Sequence, residues 1–179
     1  MRICVYCSSS LSIDDKYLAL ASEVGREIAS RKWSLVSGGG NASMMGAVAS
    51  AVRAGGGHTI GVIPRALVEL EVADTSADEL IVVDGMRERK ALMESHADAF
   101  LALPGGLGTL EEFFEIWVGR YLGFHDLEVV VLDSDGLFAP LREQIDLLHE
   151  RGFVGTEQRK IVKWTTTIKE ALDACEGKL

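Results

Sequence analysis

Residues 104–112 read PGGLGTLEE, a stretch that sets glycines, a hydroxyl and two carboxylates side by side. The apolar run Ala99-Phe100-Leu101-Ala102-Leu103 precedes it and reads as a buried strand. Leu110, Phe114, Trp117 and Tyr121 follow at helical spacing. A glycine turn between a strand end and a helix start leaves several backbone N–H groups without intrahelical partners, aimed at an anion. Gly105, Gly106 and Gly108 let that anion approach with no Cβ in the way. Thr109 caps the helix or donates its hydroxyl, and Glu111 and Glu112 place carboxylates beside the bound group. Glu112 and Glu115 share a flank of this helix at i and i+3. Three acids near a helix start also complement the helix dipole with no chemistry at all. As a site, the arrangement suits chemistry on a phosphorylated substrate.

A second signal lies upstream. Met86, Arg89 and Met93 fall at i, i+3 and i+7 on one helical face, so Arg89 interrupts an apolar stripe, with Lys90 next to it. A cation against an apolar face needs a partner. Two readings stay open: a structural ion pair with Asp98 or Glu94, or an active-site carboxylate or substrate phosphate, which suits the planar guanidinium.

The elements that must position these residues form an α/β pattern. The chain of 179 residues, 47% hydrophobic and 25% charged, predicts one soluble domain over 1–179. A formal net charge of -9 disfavours sequence-independent nucleic-acid binding, which needs a basic face. No apolar stretch reaches membrane-spanning length and Met1-Arg2 runs straight into a strand, so no membrane association and a cytoplasmic location are expected. Cys4 and Cys7 have C-x-x-C spacing but lie on a predicted strand, where residues three apart face opposite ways; they read as buried, inert thiols. The histidines show no ligand spacing, so neither a metal site nor a cofactor is expected.

In chain order, residues 2–6 read as a strand ending in Cys7-Ser8-Ser9-Ser10, where the Ser9 hydroxyl is placed for a ligand or for an ordinary turn. Ser12 and Asp15 suggest a capping box for a helix carrying Tyr17, Ala21, Val24 and Ile28. A strand at 33–36 leads into Ser37-Gly38-Gly39-Gly40, a second strand–glycine–helix junction that makes Gly39 and Gly40 secondary site candidates. The helix after it packs through Met44, Val48, Ala49 and Val52; Met45 reads as core with a further role at a ligand. Strands at 59–63 and 80–83 flank an irregular acidic region, 65–78, in which Glu71 is either a site residue or a solvated acid. A helix at 86–96, the strand before the glycine loop, and a helix from Thr109 to about Leu122 follow. A strand at 127–132, a helix through Phe138, Leu141, Ile145 and Leu148, an edge strand at 161–164 and a helix at 168–175 complete the pattern. Strands alternating with helices predict a Rossmann-like, doubly wound, mostly parallel sheet flanked by helices.

These residues carry a family resemblance. Residues 104–112 match the PGGxGTxxE signature of the Lonely Guy (LOG) family, cytokinin riboside 5′-monophosphate phosphoribohydrolases long labelled lysine decarboxylases. The resemblance covers almost the whole chain: the CSSS strand end, the SGGG turn with Met45-Gly46, Val62-Ile63-Pro64, Asp84-Gly85-Met86 leading to Arg89-Lys90, and Leu122-Gly123 with His125-Asp126. It implies hydrolysis of a nucleoside 5′-monophosphate to free base and ribose 5-monophosphate, with Arg89 and Glu112 as the catalytic pair. It implies substrate contacts from Glu71, Lys90, Gly105, Gly106, Leu107, Gly108, Thr109, Leu110 and Glu111, and a homodimer with its sites at or near the interface. Ser37, Ser43 and Val118 depart from residues frequent in the family (Tyr, Gly and Thr), which bears on pocket shape and not on the pair. No lysine context for pyridoxal phosphate supports the decarboxylase label. The competing readings are a non-catalytic nucleotide or molybdenum-cofactor carrier and a broader nucleosidase acting on AMP.

Overall fold

Short apolar runs bounded by glycine and polar turns pair into one sheet in the computed structural model, which describes residues 1–68 and 73–178. The strands are β1 (Arg2–Tyr6), β2 (Ser34–Ser37), β3 (Thr59–Pro64), β4 (Glu79–Val83), β5 (Ala99–Ala102), β6 (Glu128–Leu132) and β7 (Val162–Thr165). Their order is β4-β3-β2-β1-β5-β6-β7, and every pairing is parallel. Between them run α1 (Asp15–Ser30), α2 (Ser43–Ala54), α3 (Met86–His96), α4 (Leu107–Tyr121), α5 (Ala139–Glu150) and the short α6 (Thr156–Lys160), with α7 (Ile168–Cys175) at the end.

Chirality explains the layering. From β1 to β4 the chain moves one way along the sheet, and from β4 through β7 it moves the other way. Right-handed crossovers then require the two sets of helices to lie on opposite faces. One face packs Val24 and Ile28 of α1, Val48 and Val52 of α2 and Leu172 of α7 against Ile3, Val5 and Leu35. The other packs Met93 of α3, Phe113 and Trp117 of α4 and Ile145 of α5 against Cys4, Tyr6, Phe100 and Val131. With both faces covered, the central strands are apolar throughout rather than alternating. The result is a single α/β domain of the expected class.

Strand parity sends Cys4 and Cys7 to opposite core clusters, and both are free thiols. Burial pushes both well above the ordinary thiol value and Cys175 up to about 12, so all three stay protonated and unreactive.

The helix ends differ from expectation in two places. Asp14, not Ser12, caps α1: its carboxylate accepts from the Lys16 amide at 2.9 Å, while the Ser12 amide donates to Ser10 Oγ within the preceding loop. Helix α4 starts at Leu107, two residues before Thr109, and turns Thr109, Phe113, Ile116 and Trp117 to the core. Leu110 and Phe114 stand half-buried on the flank of that stripe, and Tyr121 is 51% exposed. The two stripes meet at Trp117, so spacing alone fits either. Helix α6 and a 3-10 turn at Arg65–Leu67 are also additional to the expected pattern.

Helices α1 and α2 pack tightly at Gly25, where a Cβ would stand 2.5 Å from the Val48 carbonyl oxygen and 2.7 Å from Ala51 Cβ. In an exposed helix Gly→Ala is stabilising by nearly 1 kcal/mol. Here overpacking reverses the sign. Gly25→Ala should destabilise by about 1–3 kcal/mol in urea unfolding, and an unchanged or raised midpoint would show that the two helices separate freely.

Candidate active site

The sheet's topological switch point lies between β1 and β5, which pair directly although their connections leave in opposite directions. Crevices at the carboxyl ends of such strands are where open α/β sheets take ligands. A cavity of about 310 Å³ opens there, within the size range of small-molecule sites. The end of β1 supplies Tyr6 and Ser8–Ser10, the β2 turn supplies Gly38, α2 supplies Met45, α3 supplies Met86, Arg89 and Met93, and α4 supplies Gly106–Thr109, Glu111 and Glu112.

Gly106 is the N-cap of α4 and offers no side chain to its first turn; the first intrahelical bond runs from the Leu110 amide to the Gly106 carbonyl at 3.0 Å. The amides of Leu107, Gly108 and Thr109 therefore precede the helical ladder and stand at the cavity. The loop's glycines divide by cause. A Cβ on Gly105 would collide with the Thr109 side chain, whose hydroxyl is buried beneath the turn. A Cβ on Gly106 or Gly108 would meet no protein atom within 4 Å.

Arg89 is 5% exposed. Its Nε donates to the Val62 carbonyl at 3.1 Å and one Nη to the Gly38 carbonyl at 2.9 Å, at the ends of β3 and β2. Asp98, one of its expected partners, instead accepts from the Arg2 amide at 2.7 Å and the Arg2 guanidinium at 3.1 Å. A Cβ on Gly38 would collide with the Arg89 guanidinium, so this glycine is demanded by a side chain and not by a turn.

Arg89, Glu112, Gly106, Leu107, Gly108, Thr109, Glu111, Ser9 and Met45 are thus brought to one cavity. Others lie outside its lining. Lys90 bridges α3 to α4 through Glu111 and, at 2.7 Å, Glu115. Gly105 supports Thr109 from behind, and Leu110 packs on the core. Gly39, at φ 74°, accepts the Asp74 amide at 2.9 Å, and Gly40 bridges to Ala73, so both hold the segment after β3. Glu71 lies outside the described residues. The lining residues that sequence reasoning did not single out as site candidates are Val5, Tyr6, Cys7, Ser8, Ser10, Gly38, Leu67, Met86 and Met93. Strand parity would have pointed to Tyr6, and the apolar stripe around Arg89 to the methionines. Burial, then the neighbouring Cys4, holds the Tyr6 hydroxyl well above its ordinary value, so it remains a neutral donor.

Fold and cavity together define a Rossmann-like α/β protein with a prospective ligand crevice at its switch point. The chain belongs to the family described as "Possible lysine decarboxylase", whose sequence model matches residues 45–175, and this is the Lonely Guy family of the resemblance. It is 50% identical to the cytokinin riboside 5′-monophosphate phosphoribohydrolase of Mycobacterium tuberculosis over 97% of this chain and 92% of that protein. It is 44% identical to the enzyme of the same name, LOG, from Oryza sativa subsp. japonica, over 94% of this chain and 70% of that one. Among solved structures it resembles the molybdenum cofactor carrier protein of Chlamydomonas reinhardtii, with a TM-score of 0.75 and 20% identity over 99% of this chain and 96% of that one. At that identity the likeness is one of fold.

Beside the cavity, the Lys90 bridge has a titration consequence. Burial alone would depress the Lys90 ammonium, but the hydrogen bonds it donates to Glu111 and Glu115 outweigh it and leave its pKa raised. Half-buried Glu94 goes up from its ordinary 4.5, through burial first and the Glu115 charge second, with Lys90 opposing. The folded protein therefore holds the Glu94 proton more tightly than the unfolded chain. That contribution is complete below the ordinary carboxyl pKa and lost as pH rises through the folded value. Glu94→Gln should raise Tm by about 1–2 °C at pH 7 and leave it unchanged near pH 4. A lower Tm at pH 7 would overturn this account.

Proposed function

We propose that this chain hydrolyses the N-glycosidic bond of cytokinin riboside 5′-monophosphates, and of AMP, to the free adenine-type base and ribose 5-monophosphate. The observation that carries the reading is the shared cavity of Arg89, Glu112 and the uncapped first turn of α4. The near-full-length relatives of that name support it.

In this reading the Leu107, Gly108 and Thr109 amides take the 5′-phosphate, where helix N-terminal polarity favours an anion. Gly106 and Gly108 leave room for its oxygens. Breaking the C–N bond develops positive charge on the ribose, as in glycoside hydrolysis. Glu112 stabilises that charge and takes the proton of the attacking water. Water adds its oxygen to C1′, the bonding pair leaves with the base, and a proton follows to the base nitrogen. Arg89, fixed by two main-chain carbonyls, supplies positive charge that stabilises the departing base. Lys90, Gly105 and Leu110 act from behind the lining, holding Glu111, Thr109 and the helix in place. Met45, Met86 and Met93 form an apolar wall for the base.

We further infer a homodimer. A groove of about 770 Å³ between α3 and α4 is lined by Phe114, Val118 and Phe124, and Glu111 borders both groove and cavity. Phe124 is 80% exposed, with Leu122, Tyr121 and Val118 at 54%, 51% and 50% nearby. An apolar patch of this kind marks an interaction surface, and its continuity with the cavity suits a second copy of the chain. Phe124→Asp combined with Val118→Asp should give a monomer by light scattering, whereas a monomeric parent would overturn the dimer.

The function is tested by product analysis with isopentenyladenosine 5′-monophosphate, AMP and the dephosphorylated riboside. Free base should come from the two monophosphates only. Glu112→Gln should lower kcat by about 10²-fold or more while nucleotide still binds. Arg89→Ala should lose far more activity than Arg159→Ala, which alters an exposed ion pair with Asp146. Nucleotide binding without base release from the parent would favour a carrier, and near-normal turnover by the Glu112 variant would remove that residue from the mechanism.

A further inference from the structure

Among the described residues, two non-glycine positions have left-handed backbone, Lys32 at φ 58° and Ser43 at φ 54°. Lys32 follows the C-cap of α1, where a left-handed residue commonly ends a helix. Ser43 has no such reason, because it opens α2 instead of closing a helix. What holds it is its side chain: Ser43 Oγ donates to the Ser10 carbonyl at 2.6 Å. The Ser10 amide in turn donates to Ser8 Oγ at 3.1 Å, and Ser10 Oγ accepts from the Ser12 amide at 3.3 Å. The Ser8 amide donates to the Pro104 carbonyl at 3.3 Å, directly before the glycine loop. Ser8, Ser9 and Ser10 line the cavity and Ser43 does not.

We infer that Ser43 is a positioning residue for substrate binding: its hydroxyl ties the start of α2 to the serine wall of the cavity and, through that wall, to the loop before α4. The inference rests on the hydrolase reading for its kinetic consequence. Arg89 and Glu112 come from α3 and α4, so loosening the serine wall affects binding of the nucleotide more than bond breaking.

Two variants separate this role from plain stability. Ser43→Ala removes the hydroxyl and keeps a Cβ in the left-handed region. Ser43→Gly removes the hydroxyl and relieves the backbone. Both should raise KM for AMP and isopentenyladenosine 5′-monophosphate about tenfold with kcat within about twofold, and the glycine variant should melt at the higher temperature. Amides of residues 8–13 should exchange faster with deuterium in both. A KM defect in the alanine variant alone, following its Tm, would reduce Ser43 to a structural residue, as would unchanged exchange at 8–13. If the parent releases no base from either nucleotide, the hydrolase reading fails, and the exchange measurement alone decides whether Ser43 holds the wall.

Discussion

A buried guanidinium needs fixed partners, and Arg89 sets that constraint for the whole carboxyl edge of the sheet. Leaving such a charge uncompensated in the interior is destabilising by several kcal/mol. Two main-chain acceptors, the Val62 and Gly38 carbonyls, hold its guanidinium. Those oxygens are fixed because β2 and β3 pair in register up to Ser37 and Gly61. Helix α3 must then lie over the strand ends, and Gly38 must lack a side chain. The same contacts that compensate the charge orient it toward the cavity, so stability and positioning are one requirement here.

The rest of the edge is knitted from loops that belong to different strands. The β1 loop reaches the β5 loop through Ser8 and Pro104, and α2 through Ser10 and Ser43. The β2 loop reaches the segment after β3 through Gly39 and Asp74, and Arg53 clamps Asp74 with bonds of 2.7 and 3.2 Å. Each bond contributes about 1 kcal/mol. Their importance is geometric: loops on separate strands otherwise move separately, and a cavity lined by several of them keeps its shape only when they are tied.

Much of this was legible in the sequence where local chemistry decides the outcome. Helices α3 and α7 and strand β1 begin and end where their patterns do, because glycine, a capping threonine and polarity changes bound them. The glycine loop, Arg89 and Glu112 were visible because a strand–glycine–helix junction and a cation in an apolar stripe are both costly unless used. The core face of α4 was not, since two apolar stripes share Trp117 and only packing against β1 and β5 selects one. Nor were the acceptors of Arg89: carbonyl groups are carried by every residue, so a sequence does not mark those that a fold brings 27 and 51 positions to meet one side chain.

Glycines at the site separate what the protein needs from what a ligand needs. Gly38 and Gly105 are required by Arg89 and Thr109, and Gly39 by its positive φ and its closeness to Ile63. Gly106 and Gly108 answer to none of these: Gly106 is extended at φ -94°, and neither position has a protein neighbour where a Cβ would be. A residue with a side chain would fold there, and in an N-terminal helical turn it would avoid the entropy that glycine loses. Two positions that forgo that gain, side by side with helix amides ahead of the hydrogen-bond ladder, fit the proposed function, in which a phosphate approaches the loop closely. In that reading the polarity of those amides favours an anion.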